Sequence, residues 1–212
     1  MQLHSGRKFM RLAQAAVLLL TLGFVVPSFA TTLEGLFSYD TNTAQFSPAE
    51  IVYQIHIDDY ANFSAETVFP TFNTMGYGAV PDTSLFLFNS SWNGVYANDD
   101  IDFSNTLSLL PNPSGGIGPG ANGDYYLAIT FGLDSALDGM GNTIFNGAFT
   151  DVSGPNSGVG PLVSWAGGAP PSDSDLRAYQ IELTGVPEPS SLALLAPGLL
   201  LAWTNRKRFL SR

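Results

Sequence analysis

The chain has 212 residues, 45% of them hydrophobic and 12% charged, with a formal net charge of −10 and no cysteine. That length suits one domain with a packed core plus processing segments, and the lack of Cys removes both a disulfide framework and a thiol nucleophile. Between Thr31 and Gly185 the only Lys or Arg is Arg177, while seventeen of the eighteen acids lie there, a net of −16; this excludes nucleic-acid binding and attraction to anionic lipid, both of which need clustered cations.

The first thirty residues read as a secretory leader. Arg7, Lys8 and Arg11 give a positive start, Leu12 to Val26 is apolar, and Ser28-Phe29-Ala30 places small residues where signal peptidase reads them. The cut is expected after Ala30, and residues 1–30, expected as a signal helix, are set aside from the fold. The alternative, an uncleaved anchor, is disfavoured because a membrane span takes about 20 apolar residues.

The body, 31–185, carries the periodicity of strands. In IVYQIHI, Ile51, Tyr53, Ile55 and Ile57 share one face, with Val52, Gln54 and His56 on the other. Ala65–Phe72 is a second candidate. Thr83–Phe88 is apolar on both faces, as in a strand covered on both sides, and Gly94–Ala97 follows across a polar turn, Asn89–Asn93. Asp124–Phe131 aligns Tyr125, Leu127, Ile129 and Phe131, and Leu176–Thr184 directs Tyr179, Ile181 and Leu183 inward. Only Asp134–Met140 suggests a turn of helix. Short aromatic and β-branched runs separated by Gly, Pro, Asn and Asp predict an all-β fold, an antiparallel, jelly-roll-like β-sandwich. Pro111–Gly123 and Val152–Pro171 read as flexible surface connections. Neither has the strand–loop–helix setting or the following Lys of a phosphate-binding loop.

The stretch Pro81 to Asp100, followed by Gly123 to Gly132, resembles the pre-peptidase C-terminal type of β-sandwich module found in secreted bacterial proteins. The matching residues are Asp82, Leu85-Phe86-Leu87-Phe88, Asn93-Gly94, Asn98-Asp99-Asp100 and Gly123 to Leu127. Asn89, where the pattern often has Asp, and the long Val152–Pro171 segment depart from it. The resemblance implies an accessory binding or structural domain.

Asn98-Asp99-Asp100-Ile101-Asp102 is the densest run of oxygen ligands, and Ca²⁺ takes six to eight oxygens from such groups. Asp82, Asn98, Asp99, Asp100 and Asp102 are the candidate ligands, with Asp58-Asp59 as possible additions. The competing reading is a solvated hairpin end whose Asn and Asp serve local backbone donors. Trp92 and Trp165, in a turn and a Gly/Pro loop, are the positions best placed for exposure and are candidate sugar-stacking residues; partly buried loop anchors are the reading favoured over this. For catalysis little is available. His56 is the one histidine beyond the leader, on the polar face of a strand, and no nucleophile turn or carboxylate spacing stands out. The chain is read as no enzyme.

The C-terminus is Val186-Pro187-Glu188-Pro189, an apolar segment from Ser190 to Trp203, then Arg206-Lys207-Arg208. The two prolines make an extended hinge. As a helix the apolar part spans roughly 21 Å, short of a hydrocarbon core of about 30 Å. The cations act as a cytoplasmic stop. This tail, 186–212, resembles the PEP-CTERM sorting signal of exopolysaccharide-producing Gram-negative bacteria. The resemblance implies transient membrane insertion, recognition by an exosortase and removal of the tail. The expected protein is an exported, noncatalytic surface or extracellular-matrix protein, with signal peptidase and an exosortase as partners and Ca²⁺ as a candidate stabilising ion. The alternative is an exopolysaccharide-binding module or glycan-active enzyme using the same export route.

Overall fold

The computed structural model describes residues 31–37, 39–40, 45–46, 50–70, 78–79, 82–132, 134–147, 150–167 and 177–187. The expected leader with Ala30, and the expected sorting tail from Glu188 through Pro189, Arg206, Lys207 and Arg208, lie outside the described residues. In chain order the strands are β1 (Thr31–Phe37), β2 (Tyr39–Asp40), β3 (Gln45–Phe46), β4 (Glu50–Ile57), β5 (Ser64–Val68), β6 (Gly78–Ala79) and β7 (Thr83–Asn89). They continue with β8 (Gly94–Asn98), β9 (Leu109–Leu110), β10 (Gly123–Phe131), β11 (Asp134–Asp138), β12 (Leu162–Gly167) and β13 (Arg177–Thr184). A 3-10 turn, Tyr60–Asn62, joins β4 to β5.

The described residues are all-β and almost wholly antiparallel. One sheet runs β1-β13-β5-β9, with β6 added parallel to β13; the other runs β4-β10-β7-β8. Their facing sides share one core. Phe37, Ala65, Tyr179, Ile181 and Leu183 enter it from the first sheet, and Ile55, Ile57, Leu85, Leu87, Leu127 and Ile129 from the second. The alternation expected in β4, β10 and β13 is present, because strand side chains point to opposite faces with a period of two.

The second sheet is buried on its other face as well. Phe86, Phe88, Ala97 and Ala128 form a separate core with Ala136 and Ile144. The paired strands β11 and β12, with the chain between them, supply the cover. This third layer explains why β7 is apolar on both faces. Full burial of a Leu or Phe is worth about 1.5–3 kcal/mol, and both faces of β7 gain it.

Four differences from the sequence expectation have local causes. Asp134–Met140 makes no helical turn. Its first five residues are β11, with Ala136 and Asp138 buried in alternation. Val152–Pro171 is no mere surface connection, since it holds β12, which pairs with β11. The strand expected over Ala65–Phe72 stops at Val68, with Phe69 exposed and Pro70 lacking the N–H a ladder needs. β1 itself had no clear alternation to announce it; it is ordered by pairing along its full length with β13, from Thr31 opposite Leu183 to Phe37 opposite Arg177.

That pairing brings the two ends of the body together. The Thr31 hydroxyl donates to the Pro187 carbonyl at 3.3 Å, Val186 packs against the main core, and the Gly185 carbonyl accepts from the Asp58 and Asp59 amides at 2.9 and 3.0 Å.

Candidate functional site

Two neighbouring places hold most of the residues singled out in the sequence. The first is the acidic turn after β8. The Asn98 side chain is buried and fully engaged. It accepts from the Leu109 amide at 2.8 Å and donates to the Asp100 carbonyl at 3.0 Å. It shapes the turn rather than offering a free oxygen. Asp102 is also used locally, accepting from the Ser104 hydroxyl at 2.6 Å and the Ser104 amide at 2.7 Å, which holds its carboxyl below the ordinary range.

The remaining three acids converge. Asp82, just before β7, comes alongside Asp99 and Asp100, with one carboxylate oxygen of each within 4.8 Å of the others. Burial raises the pKa of all three, aided by the charge of Asp100 at Asp82 and of Asp102 at Asp100; Asp99 is pushed up to about 6 by burial and the neighbouring Asp100 and Asp82, against the Ser84 hydroxyl. Ser84 contacts both Asp99 and the Gly132 carbonyl, the latter at 2.7 Å, and its single proton serves one of them at a time. Three carboxylates forced together fit a hard divalent cation, which would supply the missing positive charge and take further oxygens from backbone or water. Asp58 and Asp59 are not part of this cluster. They lie at the Gly185 end, where Asp58 is 3.3 Å from His56 Nε2 and Asp59 accepts from Asn62 at 2.8 Å.

The second place is a groove of about 570 Å³ between the outward face of β4 and β12. Glu50, Val52, Trp92, Asp134, Val163 and Trp165 line it. Neither indole is freely exposed, in keeping with the reading of partly buried anchors. Both are half-buried against the second core, and Trp165 lies on β12 rather than in a loop. Trp165 meets Phe86 and Phe88 edge-on at centroid distances of 5.0 and 6.0 Å. Trp92 stacks flat on Tyr126 at 4.0 Å with the planes 8° apart.

Trp92 also has φ of +64°, unlike every other described non-glycine residue. This left-handed conformation costs a bulky residue on the order of 1–2 kcal/mol. Ring stacking worth about 0.5–1.5 kcal/mol offsets much of that. The Leu162 amide donates to the Trp92 carbonyl at 2.9 Å and fastens β12 to the β7–β8 hairpin.

Sequence reasoning did not find Glu50 and Asp134, which are far apart in the chain and meet only across the groove. Burial, then the charge of Glu50, pushes Asp134 up to about 6. Asp134 and Asp99 both line a smaller pocket of about 160 Å³ beside the acidic turn, so the two places adjoin. His56 is exposed on β4 and sits between two carboxylates, with Nδ1 2.6 Å from Asp124 and Nε2 3.3 Å from Asp58. The hydrogen bond to Asp124 raises its pKa against an opposing effect of desolvation, with smaller help from the charges of Asp124 and Asp58.

No protein-family model matches the chain, and comparisons with curated proteins and with solved structures give no match either.

Proposed function

We propose that this chain is an exported, noncatalytic surface or extracellular-matrix protein, sorted by an exosortase and held briefly in the membrane by its C-terminal segment. Its body is read as a jelly-roll-like β-sandwich of the pre-peptidase C-terminal type, steadied by Ca²⁺ at Asp82, Asp99 and Asp100. The observation that carries the reading is the pairing of a cleavable leader with the Val186-Pro187-Glu188-Pro189 hinge, short apolar segment and Arg206-Lys207-Arg208 stop.

The fold is compatible with it in a specific way. With Thr31 against Pro187, the leader and the tail leave from the same end of the body. A protein tethered by both ends to one bilayer can then fold completely before either tether is cut. Intact-mass measurement of protein recovered from outside an expressing host should show a start at Thr31 and no peptide beyond the Pro187–Pro189 region. Extracellular protein ending at Arg212 would overturn the sorting reading.

A second reading, an exopolysaccharide-binding module, is favoured by one observation: Trp92 and Trp165, remote in the chain, line the same groove.

A further inference from the structure

The groove between β4 and β12 combines two indoles with two carboxylates. Glu50 opens β4 opposite Thr130 of β10, and Asp134 opens β11 opposite Gly167 of β12, so two different sheets bring the acids together. Val52 and Val163, 38% and 67% exposed, extend the apolar floor. An ionised carboxylate only accepts hydrogen bonds, so a ligand lying here must bring donors or positive charge. An aromatic face with acids beside it also attracts ammonium groups, through the ring quadrupole and direct charge. The surrounding body, at −16, repels polyanions.

We propose that this groove binds a glycan bearing free amino groups, its sugar rings lying against Trp92 and Trp165 and its ammonium groups between Glu50 and Asp134. The proposal rests on the exopolysaccharide-binding reading and narrows it to one charge class. Four observations support it. The volume of about 570 Å³ is in the range of small-ligand sites. The groove is open and of mixed lining, with two indoles and two valines among its polar groups, which suits the flat C–H face and hydroxyl rim of a sugar ring better than the thin alkyl chain of a lysine. Trp92 is kept in a costly left-handed conformation at the groove wall, the kind of strain that concentrates where a side chain must be aimed. The raised pKa of Asp134, caused by burial and then by Glu50, records an unrelieved negative charge that an ammonium would relieve.

The test is calorimetric titration of the full chain in mild detergent with three probes: a glucosamine hexamer, the fully N-acetylated hexamer and a uronic-acid hexamer. The amine hexamer should bind at least about tenfold more tightly than the acetylated one, the margin expected of a cation beside aromatic and carboxylate groups, and raised salt should narrow the gap. Glu50→Gln and Asp134→Asn should each abolish the preference while the melting temperature stays near that of the parent chain. If Asp134→Asn fails to fold, Glu50→Gln on the edge strand still decides. Equal affinity for the amine and acetylated hexamers would overturn the amino-glycan inference and leave the glycan-binding reading standing. No binding of any hexamer would overturn both. An amine preference that survives in Glu50→Gln and Asp134→Asn would also overturn it, because the general negative charge of the body would then explain the effect. So would tighter binding of an oligolysine peptide than of the amine hexamer.

Discussion

Asp99 and Asp134 are carboxylates whose surroundings oppose ionisation. Each has its pKa raised from 3.8 to about 6, mainly by burial, with Asp100 and Asp82 acting on the first and Glu50 on the second. Between those values the folded chain binds more protons than the unfolded one, so stability falls as pH rises through that window and levels off above it. Asp138 works in the opposite sense. It accepts from the amides of Met140, Asn142 and Gly160 and from the Asn142 side chain, which lowers its pKa to about 2. Its contribution is present above the ordinary carboxylate range and is lost only as pH falls toward that low value. Thermal melts in chelator should therefore peak near pH 4 to 5. The fall toward neutral pH should be reduced by Asp99→Asn or Asp134→Asn. Added Ca²⁺ should raise the melting temperature at pH 7 and lose much of that effect at pH 4.5, where Asp99 is protonated. Calcium titrations of the parent chain and of Asp99→Ala with Asp100→Ala that give identical heats and melting temperatures would dismiss the cation site.

At the scale of elements, the joint between β13 and the turn after β4 is the least forgiving. Gly185 has φ of +71°, and a Cβ there would lie 2.5 Å from the Asp59 carbonyl oxygen and 2.8 Å from the Phe63 Cα. Both obstacles are backbone and cannot swing aside. Gly185→Ala should cost about 3 kcal/mol, seen as a lower denaturation midpoint, from strain together with the loss of the amide pair on its carbonyl. Gly120→Ala is the control. A Cβ there meets nothing within 4 Å, and its midpoint should stay within about 0.5 kcal/mol of the parent.

The same scale shows why some elements were legible in the sequence and others were not. β4, β10 and β13 bury one face against the main core, so their apolar residues alternate and the period of two is visible. β7 was legible as a doubly covered strand from its unbroken run of Leu and Phe, although nothing in that run names its cover. The cover is β11 and β12, short strands rich in small and polar residues, and β12 hides in a stretch dominated by Gly, Pro and Ser. Their pairing with each other, rather than any pattern of their own, makes them strands. The candidate site divides in the same way. Asp99 and Asp100 are adjacent in the sequence and visible as a cluster; Asp82 was also named as a candidate ligand, and the β7–β8 hairpin is what brings it alongside them, whereas Glu50 and Asp134 carried no local signal.

For the whole molecule, the closing contact is that of β1 with β13. It joins the first and last strands of the body and leaves Thr31 and Pro187 within hydrogen-bonding distance. A circular permutant follows from this. Residues 187 and 31 are joined by a short Gly/Ser linker and the chain is reopened at Gly115-Gly116, both at positive φ with open space around them. It should keep the melting temperature of the linear body to within about 5 °C, because the new ends fall in an exposed turn and the old ones were already neighbours. A permutant that fails to melt cooperatively would show that the β1–β13 closure does not govern the ends as described.

By itself the sequence determined the all-β class, the inward faces of β4, β10 and β13 and the strongly negative charge between Thr31 and Gly185. These are local properties, set by side-chain period, composition and the spacing of charges along one segment. Tertiary structure alone decided that a third layer covers β7, that Trp92 and Trp165 share a groove with Glu50 and Asp134, and that Asp82 reaches Asp99 and Asp100. Each of those meetings depends on which strand pairs with which, and pairing is chosen by the packing of distant surfaces rather than by any stretch read alone.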